Sequence, residues 1–188
     1  MTTPPVLPIS NIGFLALFET EDKQGFLGAI LITDFKGIPQ EFRCTHPVKP
    51  SAVQRSLYGD TLLPHISINL CGIPLLKVIQ SKPALILVKD DVFLGVRTAS
   101  QCPVAVVRRA GSAIDLRAQS DTNLLQKTRL ESPTVGRFQP IVLETNPADG
   151  KSAQTILEKV FGDLDPLEPF ERMTSAVQLL AKYDKRFQ

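Results

Sequence analysis

The run Gly25–Thr33, GFLGAILIT, constrains this chain more than any other segment. Its apolar residues follow one another without the alternation of a strand that shows one side to water. Bounded by a charged stretch and a turn, it has the length of a strand rather than of a helix. A strand that is apolar on successive residues has to be covered on both faces, so the fold must place structure above and below a sheet.

The flanking residues supply neighbours for that strand. Ile12–Glu19 reads as a strand, and Thr20–Gln24 as the charged turn between the two. Asp34-Phe35-Lys36-Gly37 is a turn, because an aspartate can take up backbone N–H groups ahead of it and glycine accepts the positive φ that closes the loop. Ile38–Thr45 returns as a third strand with Phe42 and Cys44 on one face and Glu41, Arg43 and Thr45 on the other. Pro39 marks it as an edge strand or limits pairing at its start.

A helical stretch follows. Ser51–Tyr58 predicts a short helix ended by Gly59, and Asp60 caps a second with the stripe Leu62, Leu63, Ile66 and Leu70, broken at Gly72 and Pro74. Pro83–Val88 and Val92–Arg97 predict a hairpin around Lys89-Asp90-Asp91, and Pro103–Arg108 a sixth strand. Residues 110–137 read as a polar connection with room for one strand or helical turn. Phe138–Glu144 is a late strand, and Ser152–Phe161 an amphipathic helix. The last helix, Pro166 to Lys182, opens on Asp165-Pro166-Leu167-Glu168, the pattern of a capping box with proline at the first helical position.

The expected class is therefore α+β: an antiparallel sheet of about five to seven strands, a helical crossover after the third, and two C-terminal amphipathic helices. The expected organisation is one domain: a lead at 1–11, a sheet core with the crossover at 12–109, the connection at 110–137, and a strand with two helices at 138–188. A chain of 188 residues buries roughly 70% of its unfolded surface, enough for a core without staples. On Ala29-Ile30-Leu31-Ile32-Thr33-Asp34-Phe35-Lys36-Gly37 and the later hairpin around Asp90, the order over 12–109 resembles that of the profilin-like folds, among them roadblock, longin and PAS domains. The resemblance implies an antiparallel sheet of that kind.

Composition narrows the function classes. Twenty-one basic and nineteen acidic side chains leave a net charge of +2, far from the basic excess of proteins whose affinity comes from phosphate neutralisation. Cys44, Cys71 and Cys102 are odd in number and far apart, which fits reduced thiols in a cytoplasmic protein. Met1–Ser10 is proline-rich without the basic and apolar regions of a signal peptide. No apolar run approaches the ~20 residues of a membrane helix, so no membrane partner is expected.

Motifs for phosphate cradles, dinucleotide sites, zinc hydrolases, nucleophile elbows and calcium loops are all missing. No catalytic or cofactor-binding residue is assigned, and no cofactor. Cys44 and His46, two apart on a strand, are the only pair with metal-ligand character, and they lack further donors at a zinc spacing. His65 beside an apolar stripe and Asp90-Asp91 at a turn read as structural. Arg55 and Tyr58, one helical turn apart, have the character of an interface anchor, and Tyr58 equally that of a core residue with its hydroxyl bonded at the surface. Arg108 and Arg109 open a locally basic stretch, 108–137, diluted by Asp115, Asp121 and Glu131. Phe170, Met173, Val177 and Leu180 form a stripe that must meet either the protein's own sheet or a partner.

These observations rank a non-catalytic interaction module first, a small subunit or adaptor in a cytoplasmic protein assembly. A nucleic-acid-associated protein using 108–137 comes next, and an enzyme whose site is assembled from distant residues last.

Overall fold

The computed structural model describes residues 11–111 and 125–187. Its strands are β1 (Asn11–Glu19), β2 (Phe26–Asp34), β3 (Pro39–Cys44), β4 (Leu85–Val88), β5 (Val104–Arg109), β6 (Gln126–Leu130) and β7 (Ile141–Thr145). Helix α1 runs through Ala52–Val78, α2 is Gly150–Val160 and α3 is Glu168–Tyr183. One seven-stranded sheet has the order β3-β2-β1-β4-β5-β7-β6.

The sheet is mixed, which corrects the antiparallel expectation. β2 pairs antiparallel with β1 and β3, and β7 with β5 and β6. At the centre, β4 runs parallel to both β1 and β5. Parallel neighbours need a long crossover rather than a hairpin. That crossover is α1 between β3 and β4. Between β4 and β5, Val92–Arg97 is not the expected strand but most of a 3-10 helix, Asp91–Thr98. Phe93 and Val96, three apart, therefore bury the same side against the sheet. With a parallel centre, the resemblance to the antiparallel profilin-like folds lapses.

Both faces of the sheet are covered, as the sequence of β2 requires. Ile12, Phe14 and Ala16 of β1, with Leu27, Ala29 and Leu31 of β2, point to a core closed by α2 and α3. Leu15, Ile30 and Ile32 face the other way, toward α1 and the 3-10 helix. Gly28 lets α1 come close, because a Cβ built there would lie 2.6 Å from the Cβ of Cys71. The turn after β2 is tied by Asp34, whose Oδ1 accepts from the N–H groups of Lys36 and Ile38, both at 2.9 Å. Gly37 supplies the positive φ, 84°.

Helix α1 is continuous where two helices and breaks were expected. Gly59–Thr61 is a 3-10 turn within it, and His65–Gly72 is a π-helical turn just before Pro74. Proline donates no N–H to a helical ladder, and a π turn is one way to accommodate the disruption. By length and composition α1 could cross a membrane, although Ile66, Ser67, Cys71, Gly72 and Leu75 are buried. Helix α3 begins at Glu168 without the expected capping box. The Asp165 carboxylate instead accepts from the N–H of Leu167, one turn earlier, and pairs with Arg109.

Glu41 clamps edge strand β3 to the segment entering β4. Its carboxylate accepts from the backbone N–H of Gln80 and of Ser81, at 2.9 and 2.8 Å, and from Arg43. Burial works to raise its pKa, but the Ser81, Arg43 and Gln80 hydrogen bonds outweigh it and bring it from 4.5 down to about 2. A depressed carboxyl contributes stability above its ordinary value and loses it as pH falls through the lowered one. Acid denaturation is therefore expected to release this clamp between pH 4.5 and about 2. Glu41→Gln should lower stability at neutral pH by about 1–2 kcal/mol and flatten that part of the acid limb. Thermal melts of both proteins across this pH range check it.

Candidate functional site

Strands β1 and β4 lie side by side and parallel, yet the chain leaves their ends in opposite directions: from β1 to β2 on one side, from β4 toward β5 on the other. Ligand sites of open sheets tend to form outside the carboxyl ends of strands at such a switch point. Here the register pairs Leu15 with Val88, so the last residues of β1, Leu17, Phe18 and Glu19, extend past the end of β4 beside Lys89 and Asp90.

Three hollows lie at or near this place. One, of about 270 Å³, lies on the α3 side between Ala16, Phe18, Lys89, Phe170 and Thr174. A second, of about 320 Å³, lies on the α1 side. Leu17, Phe18 and Asp90 are common to both. The third, about 850 Å³, lies along α3 and is lined by Glu19, Glu21, Lys23, Gln178 and Lys182.

The charges around the crevice are not consumed by the fold. Among the described residues Lys23, Lys89 and Lys182 form no ion pair, and neither do Glu19, Asp90 and Asp91. The ammonium of Lys89 stands 6.0 Å from the centre of the Phe170 ring. The half-buried ring of Phe18 with Lys89 beside it can receive an anionic polymer carrying flat rings. Among the described residues no three His, Cys, Asp or Glu side chains gather to hold a metal ion.

Of the interaction candidates singled out from sequence, Phe170 lines the hollow beside Lys89, and the others fall elsewhere. Phe170, Met173 and Val177 are buried in the core between α3 and the sheet, and Leu180 is half-buried at its margin. Arg55 and Tyr58 lie across the sheet from them on α1. The Arg55 guanidinium donates to the carbonyl of Gln24 at 2.5 Å, and the Tyr58 ring is 5.1 Å from that of His65. The basic stretch is spent on internal pairs: Arg108 and Lys127 on Glu144, Arg109 on Asp165, Arg129 on Glu131 and Arg137 on Asp163. Arg117, Asp115 and Asp121 lie outside the described residues. Cys44 is half-buried and burial pushes its thiol pKa up, while the His46 ring stacks on Phe187, 5.5 Å between centres.

Sequence reasoning missed Phe18, Glu19, Lys23, Lys89 and Lys182. A signal existed for Lys89, which directly follows an apolar strand, but it points to a site only once β4 is known to run parallel to β1.

No family model matches the sequence, and no curated protein matches it by sequence. Solved structures do resemble it. An endonuclease V from Bacillus subtilis is 13% identical, with 93% of this chain and 83% of that one covered at a TM-score of 0.59. An endonuclease V of Ciona intestinalis, in complex with a DNA containing an inosine followed by a ribo-adenosine, is 12% identical, with 81% and 77% covered at a TM-score of 0.48. The first likeness establishes that this chain has an endonuclease V-like fold. The ranking drawn from sequence is corrected accordingly: the likeness overturns the adaptor reading.

Proposed function

We propose that this protein associates with nucleic acid, receiving a single strand along the crevice at the carboxyl ends of β1 and β4. The observation that carries the reading is the placement of three lysines free of ion pairs: Lys89 beside Phe18 in the hollow at the carboxyl ends of β1 and β4, and Lys23 and Lys182 in the hollow along α3. The endonuclease V-like fold supports it. Lysines contact phosphates and release counterions, while an aromatic ring stacks on a base without regard to sequence. The interface differs from the one expected in residues 108–137, whose described cations are already paired within the protein.

Binding is the proposed activity, and cleavage is followed in the same samples.

Fluorescence anisotropy with a labelled single-stranded oligonucleotide over a salt series tests this. Three phosphate contacts give a slope of log affinity against log salt of about −2. Lys89→Ala should weaken binding equally for all sequences and remove about 0.7 of that slope. Absence of binding at low salt, or a slope that Lys89→Ala leaves unchanged, would overturn the assignment.

A further inference from the structure

In the hollow along α3 the two lysines, Lys23 and Lys182, share the lining with Glu19 and Glu21. Phosphate contacts alone therefore hold a polyanion weakly there, and an uncharged contact has to supply the rest. The turn that brings Lys23 to this place is a built one. Its φ of 55° is the one positive value outside glycine among the described residues, and such a conformation persists where the surroundings over-determine it. The Lys23 N–H donates to the Thr20 carbonyl and the Gly25 N–H to the Thr20 hydroxyl, both at 2.9 Å. Asp22 and Lys49 close the same turn with an ion pair, also at 2.9 Å.

Helix α3 offers the uncharged contact. Leu179 and Lys182 line the hollow, and Tyr183 follows Leu179 by four residues, one turn further along the same row. Tyr183 is 75% exposed, whereas Phe170 and Met173 of the same helix are buried. The ammonium of Lys182 stands over its ring, 5.4 Å from the centre, which occupies one face and leaves the other to solvent. A ring with an ammonium beside it offers a base a stacking surface and its phosphate a counter-charge together.

We propose that Tyr183 is a second base-stacking platform, and that the ligand is a single strand laid along α3 from Phe18 to Tyr183. The inference rests on the nucleic-acid reading and adds to it a length and an end point. Between Phe170, which lines the hollow with Phe18, and Tyr183 the helix rises about 20 Å. A stacked strand covers that distance in about six nucleotides at about 3.4 Å each. Bases within a duplex have no free face for either ring, so the strand has to be unpaired over this length.

Anisotropy of the full chain with labelled single strands of graded length tests it. Affinity is expected to rise steeply up to about six nucleotides and only gently beyond. Tyr183→Ala should weaken binding of a strand of that length by roughly tenfold and abolish the gain over a strand of about half the length. It should leave the salt slope unchanged, because a ring releases no counterion. Tyr183→Phe should bind as the parent does, and thermal melts of both variants should match the parent, since the side chain is exposed. A Tyr183→Ala protein that binds the longer strand like its parent, or whose loss is the same at both lengths, would overturn the platform while leaving the Lys89 assignment to its own measurement. Absence of binding by the parent removes both.

Discussion

Replacing Phe170 with alanine is expected to cost about 3–5 kcal/mol of folding stability. The ring is 2% exposed and meets Phe14 edge-on, with 5.5 Å between centres and 88° between planes. Phe14 is held in the middle of β1 by ladders to β2 and β4, so it cannot move to fill the space that a removed ring would leave. Met173 and Val177 continue the same buried face along α3. The stripe thus fastens the helix to its own sheet, and the same residues are not free to dock on a partner. Chemical denaturation should show a lower midpoint with an unchanged slope, and Phe170→Leu a smaller shift in the same direction. Because Phe170 also floors the lobe beside Lys89, a folded Phe170→Ala protein should bind oligonucleotide less well than its stability alone implies. A variant as stable as the parent would mean that this contact does not hold α3 in place.

What the sequence revealed about this fold, and what it hid, follow from how far apart the interacting residues are. β1, β2 and β3 are joined by short turns whose Asp34 and Gly37 state their own geometry, and the unbroken apolar run of β2 announces two covered faces. Parallel pairing of β1 with β4 has no local mark. The strands are linked through β2, β3 and α1, and nothing in PALILV distinguishes a parallel from an antiparallel neighbour. The segment VFLGVR is equally apolar as a strand or as a tight helix, and only packing on the sheet selects the latter. The helix stripe of Phe170, Met173 and Val177 has the same pattern whether it covers the protein's own sheet or another protein. The crevice was hidden for the same reason as the parallel pair: Phe18 and Lys89 become neighbours only when β1 and β4 do. Charge was legible as composition but not as availability, since a lysine without a partner and an arginine inside an ion pair look alike in a sequence.

Arg108 makes that last point measurable. Glu144→Leu is expected to destabilise the protein by about 3–5 kcal/mol, whereas the double change Arg108→Leu with Glu144→Leu should recover most of the loss. Glu144 stands opposite Val106 on β5 and opposite Lys127 on β6. Arg108, two residues beyond Val106, lies on the same face and donates to the Glu144 carboxylate at 2.6 Å, while Lys127 is 3.5 Å away. The side chains of Arg108 and Glu144 are only 13% and 4% exposed. Removing the carboxylate strands the guanidinium in the sheet beside a second cation. Removing both partners replaces a buried pair by apolar groups, and Lys127, 32% exposed, can turn its ammonium to water. A double-mutant cycle followed by chemical denaturation measures the coupling, and additive losses would show that the pair does not act as a unit. Arg108 is thereby bound into the protein's own architecture, so the folded double variant should bind oligonucleotide with the salt dependence of the parent.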